Sequence, residues 1–75
     1  MGELDLHRVP HEHAERIVFN FIFSHSLPVR IITGKSEQMQ EIVRKVVREN
    51  NFGCHYQFFS NAGCLIVTNS KWTTK

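Results

Sequence analysis

The chain reads as an α/β fold, a two-layer α/β sandwich of order βαβαββ with a mixed four-stranded sheet, and three observations carry that expectation. A segment alternating apolar and polar residues opens the chain. Two stripes of apolar residues at helical spacing follow, each leading into β-favouring residues. Two short β-rich runs then close the chain around a glycine-containing linker.

Leu4-Asp5-Leu6-His7 has period two, so it predicts a strand with both leucines on one face and Asp5 and His7 on the other. Pro10 suits the first turn of a helix running from His11 to about Phe23, where Ala14, Ile17, Val18, Phe21 and Ile22 recur at three and four. Val29-Arg30-Ile31-Ile32-Thr33 is β-branched with little alternation, which predicts a strand well buried in the sheet. Gly34 ends it. Met39, Ile42, Val43, Val46 and Val47 repeat the helical stripe, with Glu41 and Lys45 spaced for an i,i+4 pair on the polar side. Asn50-Asn51-Phe52-Gly53 stops this second helix. Cys54 to Phe59 and Cys64 to Thr68 predict two strands joined by a turn at Ser60-Asn61-Ala62-Gly63. Crossover handedness makes the first three strands largely parallel and the last antiparallel. The domain is expected over residues 3–68, and 69–75 is a tail, polar apart from Trp72, with no assigned role.

Bulk properties bound the function. A chain of 75 residues makes one domain with a thin stability margin, and 41% hydrophobic residues with 21% charged is globular composition. Cys54 and Cys64 match no zinc spacing and fall out of register across the closing hairpin, so free buried thiols in a reducing compartment are expected. No apolar run approaches the ~20 residues that cross a bilayer. The start Met1-Gly2-Glu3-Leu4-Asp5 has no basic region leading into an apolar one, so the expectation is a cytoplasmic protein without membrane association. A net charge of +2 permits an anionic partner without demanding one.

Two motifs carry chemistry, and the topology sends both to one edge of the sheet. Asp5 and His7 end the first strand; Thr33-Gly34-Lys35-Ser36 follows the second and opens the second helix. An imidazole titrates near pH ~6.5 and can move a proton, while a carboxylate two residues away on the same face can orient it or bind a cation. A helix start offers amides and a dipole to an anion, Lys35 adds a charge, and Gly34 lets a backbone approach closely. Thr33 and Ser36 can donate to phosphate oxygens or cap the helix. The turn is no nucleoside-triphosphate loop, because Val29 stands where that motif requires glycine. Both motifs also have plain structural readings, a hydrogen-bonded surface pair and a capped strand-to-helix turn. Arg44, Lys45 and Arg48 form a basic helix side that could touch phosphates or simply be solvated, and Tyr56, Phe58 and Phe59 could stack bases or belong to the core.

Leu4-Asp5-Leu6-His7, Glu12 and Ala14 in the first helix, Ile31-Ile32-Thr33-Gly34-Lys35-Ser36 and Asn61-Ala62-Gly63-Cys64-Leu65-Ile66-Val67 together resemble the Smr (small MutS-related) domain, from about Glu3 to Thr68. The resemblance implies a fold similar to the C-terminal domain of a bacterial translation initiation factor, nucleic-acid binding, and the nicking endonuclease or endoribonuclease activity found in several members. Carried over, Asp5 and His7 become candidates for catalysis, and Thr33, Gly34 and Lys35 for contact with the nucleic-acid backbone. Arg8 replaces a glycine that usually follows the histidine and is a further candidate phosphate contact; Ser36 replaces the second glycine of Thr-Gly-x-Gly. A stand-alone Smr type with Thr-Gly-x-Ser then Met accommodates Ser36 and Met39. The leading expectation is a nucleic-acid-binding domain with nicking activity on DNA or RNA, and the alternatives are a non-catalytic nucleic-acid or ribonucleoprotein module and a protein-interaction domain. A divalent cation, Mg²⁺ or Mn²⁺, is compatible with Asp5 and His7, and nothing in the sequence requires one.

Overall fold

Apolar residues at alternate strand positions and at every third or fourth helical position can be buried together when both helices lie on one side of the sheet. The computed structural model describes residues 2–58 and 61–68, and it has that arrangement. The element order is β1 (Gly2–Asp5), α1 (His11–Ser24), β2 (Val29–Ile32), α2 (Glu37–Glu49), β3 (Gly53–Phe58) and β4 (Asn61–Thr68). The sheet order is β1-β2-β4-β3. β1 pairs parallel to β2, and β4 lies antiparallel between β2 and β3. The first three strands therefore share a direction, as the crossovers require, but the crossover through α2 leaves a gap that β4 fills.

The core joins Val29 and Ile31 of β2 with Leu65 and Val67 of β4, beneath Ala14, Val18 and Ile22 of α1 and Met39, Val43, Val46 and Val47 of α2. Removing such side chains from water is the main favourable term in folding, each worth about 1.5–3 kcal/mol. The opposite face, which neither helix covers, follows from the register. Glu3 pairs with Arg30, which pairs with Ile66, and Asp5 pairs with Ile32, which pairs with Cys64. β2 thus alternates buried and half-buried residues. The expectation of a strand with little alternation is corrected: Arg30 and Ile32 face away from the helices.

Local corrections have identifiable causes. β1 ends at Asp5, short of His7, although Leu6 N–H still donates to Ile32 O at 2.8 Å. The Asp5 carboxylate accepts the His7 N–H at 2.9 Å, and Val9 N–H donates to Leu6 O at 3.1 Å, so the chain turns at His7-Arg8 instead of continuing the ladder. Glu41 and Lys45 do not pair with each other: Lys45 reaches Glu15 on α1 at 3.3 Å and Arg48 reaches Glu41 at 3.4 Å. α2 ends in a Schellman pattern, with Asn51 in the left-handed region at φ 62°, Asn51 N–H on Arg48 O and Phe52 N–H on Val47 O. Asn61-Ala62-Gly63, expected as a turn, belongs to β4, and Ser60 lies outside the described residues, as does the tail 69–75. Both cysteines are free thiols, Cys54 half-buried and Cys64 buried.

Candidate functional site

Because β1 and β2 run parallel, the ends of both strands reach the same sheet edge, and Asp5 lies in register with Ile32 just before the Thr33-Gly34 turn. Asp5 Oδ1 accepts the His7 backbone N–H and lies 2.8 Å from His7 Nδ1. The His7 amide is the chief reason the Asp5 carboxyl sits below its ordinary value; the imidazole hydrogen bond adds to this, slight desolvation opposes it, and the charges of His7 and Arg8 contribute less. Nδ1 is the nitrogen engaged by the carboxylate, which leaves Nε2 as the nitrogen turned toward the Gly34 turn. That atom lies against Gly34, where a Cβ would come within 2.9 Å of it. The two sequence motifs are in direct contact.

Gly34 has φ +69°, the left-handed conformation that costs an L side chain energy. Its carbonyl accepts from Thr33 Oγ1 at 2.8 Å and from Gln40 Nε2 at 3.1 Å. Tyr56 OH donates to Gln40 Oε1 at 3.4 Å, and Arg44 donates to the Tyr56 hydroxyl while its guanidinium lies 5.3 Å from the ring centroid. From the other side, Gly63 O on β4 accepts both Thr33 N–H at 2.9 Å and Gly34 N–H at 3.1 Å. The turn is therefore fixed by α2, β3 and β4 at once.

These bonds redistribute the expected roles. Thr33 is buried with its hydroxyl directed at the Gly34 carbonyl, so it shapes the turn instead of facing a ligand. The Gly34 amide is likewise taken by Gly63. Ser36, at φ −78°, caps α2 by accepting Met39 N–H at 3.1 Å, a role for which no second glycine is needed. Arg8 follows His7 in a turn without positive φ, so no glycine is needed there either. Lys35 is exposed and, among the described residues, has no ion-pair partner.

A cavity of about 400 Å³ opens here on the helix-free face, lined by His7, Gly34, Lys35, Gly63, Arg30, Ile32 and Cys64. Asp5, His7 and Arg8 line a smaller one of about 200 Å³, so His7 stands between the two. Arg30 was not among the residues singled out from sequence, although a charged residue between Val29 and Ile31 was a signal. Its Nη1 lies 3.9 Å from Glu3 Oε1, and its Nε is buried without a hydrogen-bond partner. Burial pushes the Cys64 thiol up, against the opposing charge of Arg30, which argues against a thiolate nucleophile.

Other features of the sequence do not join the site. Arg44, Lys45 and Arg48 each have a partner within the fold. Tyr56 packs against the core and α2, so it is no part of a stacking platform, and the side chains of Phe58 and Phe59 lie outside the described residues. Among the described residues no three His, Cys, Asp or Glu side chains gather at a metal-binding distance; Asp5 and His7 could offer a cation one oxygen and one nitrogen. A larger groove, about 620 Å³, lies between α1 and α2 beside Glu12, Glu15, Arg16 and Phe19, and holds none of Asp5, His7, Arg8 and Thr33 to Ser36.

No helix among the described residues is long and apolar enough to cross a membrane. Comparison with protein-family models, curated proteins and solved structures finds no match to this chain.

Proposed function

We propose that this chain is a cytoplasmic, Smr-like nucleic-acid-binding domain that nicks the phosphodiester backbone of DNA or RNA. The contact between His7 and Gly34 carries the reading, because it sets a proton-transferring imidazole, oriented by Asp5, beside the exposed Lys35 ammonium and a glycine that admits a backbone closely. In this reading Nε2 takes the proton from the attacking oxygen, a water or a ribose 2′-hydroxyl, as the new P–O bond forms and the opposite P–O bond breaks. The leaving alkoxide regains a proton from Nε2–H or from solvent. Lys35, with Arg8 nearby, offsets charge on the non-bridging oxygens.

One observation favours a binding module without catalysis. The Asp5 and His7 side chains are 61% and 57% exposed, so the pair lacks the dry surroundings that strengthen electrostatic catalysis. Incubating supercoiled plasmid and an RNA hairpin with wild type and with His7→Ala, with and without Mg²⁺ or Mn²⁺, separates the readings. Nicking that disappears in the variant while binding persists supports the enzyme. Equal nicking by both points to a contaminating nuclease, and binding without any nicking supports the module.

A further inference from the structure

We infer that Arg30 is a second backbone-phosphate contact and that the nucleic acid therefore crosses the helix-free face of the sheet over β2, not the basic side of α2. The inference rests on the proposed nucleic-acid function and names a path for the ligand. Arg30 and Lys35 line the same cavity with His7, so one stretch of backbone can reach all three. Ile32 stands two residues along β2 from Arg30 on the same face, a separation of about 6–7 Å. Ile32 supplies small aliphatic surface beside the cations, suited to a sugar ring, and among the described residues the one ring that lines the cavity is the His7 imidazole.

The guanidinium is also poorly satisfied where it stands. Nε is buried without a hydrogen-bond partner, and the nearest carboxylate, Glu3, is at 3.9 Å, beyond hydrogen-bonding distance. The planar guanidinium can donate two parallel N–H bonds to two oxygens of a phosphate, which would take over the role Glu3 fills weakly. By contrast, Lys45 and Arg48 on α2 already face carboxylates and Arg44 faces Tyr56, so recruiting that side means breaking existing pairs. With one cation on β2, one in the turn that follows it, and no ring but the His7 imidazole among the described residues that line it, the cavity fits sequence-tolerant recognition of a phosphodiester backbone.

The test is fluorescence anisotropy with a labelled DNA duplex and a labelled RNA hairpin across a salt series, using the full chain. Arg30→Gln should weaken binding and lower the slope of log affinity against log salt by about one phosphate, while Arg30→Lys keeps the slope. Glu3→Gln should tighten binding, and should not do so when Arg30→Gln is also present. This second arm decides the matter if Arg30→Gln melts at a lower temperature than wild type. Wild-type affinity and slope in Arg30→Gln, with Lys35→Gln still weakened, would overturn the Arg30 contact and leave the nucleic-acid reading standing. Absence of salt-dependent binding to either probe by wild type would overturn both.

Discussion

The imidazole of His7 rests on the α-carbon of Gly34, so closely that a methyl group there would meet Nε2 at 2.9 Å. Residues 27 positions apart in sequence share one spot because β1 and β2 are parallel neighbours. Gly34→Ala therefore meets two obstacles, the left-handed φ of +69° and the ring. The backbone conformation alone should cost about 1–2 kcal/mol, read as a lower denaturation midpoint. The His7 ring resonances should shift as well, and unchanged resonances would refute the packing.

Acid should act on the site through Asp5. Folding lowers this carboxyl below its ordinary value of 3.8, so its contribution to stability is complete above that value and is lost as pH falls through the lower folded value. Asp5→Asn should flatten that part of the acid limb. Since the His7 amide outweighs the imidazole among the causes, His7→Ala should leave the Asp5 carboxyl lowered, as a ¹³C-carboxyl titration would record. Return to the ordinary value in that variant would mean that the ring, not the amide, holds the charge.

The turn is supported from α2 by a buried amide. Gln40→Met keeps the side-chain length but removes the donor to Gly34 O and the acceptor for Tyr56 OH, and should lower stability by about 1–3 kcal/mol in urea denaturation. Thr33→Val removes the hydroxyl that donates to Gly34 O at 2.8 Å and, more weakly, to Gly63 O at 3.4 Å, and should cost about 0.5–1.5 kcal/mol. A Gln40→Met variant as stable as wild type would show that the network does not brace the turn.

Lys35 and Arg48 should behave differently in nucleic-acid binding, although both are exposed cations, one just before α2 and the other in its last turn. Lys35→Gln should weaken binding and reduce the salt slope by about one, whereas Arg48→Gln, whose guanidinium sits 3.4 Å from Glu41, should change neither. Equal losses in the two variants would put the backbone along α2.

The legible parts of this molecule were those set by local pattern or by strand direction. The stripes of Ala14, Val18 and Ile22 and of Val43, Val46 and Val47 marked the helices, and the crossover through α1 brought Asp5, His7 and the Gly34 turn to one edge. Arg30 escaped because a strand of β-branched residues reads as buried on both faces unless one already knows that only one face has helices. The orientation of Thr33 escaped because a hydroxyl can satisfy either a ligand or a carbonyl, and the choice depends on where Gly34 O points. Gly63 was misassigned since glycine is a turn residue by conformational freedom, while here it extends a strand and presents a carbonyl to another loop.

That carbonyl bears on when the protein becomes competent during its synthesis. Thr33 and Gly34 take their shared acceptor from a residue about 30 positions later, so a ribosome must release β4 before the turn can close. A nascent chain ending within β3 would carry His7, Lys35 and Arg30 with the Thr33 and Gly34 amides unpaired. Maturation of the site is thus tied to docking of the last strand, a non-local step of the kind that slows folding. Truncation before residue 61 should yield a chain that retains His7, Arg30 and Lys35 and loses the arranged cavity.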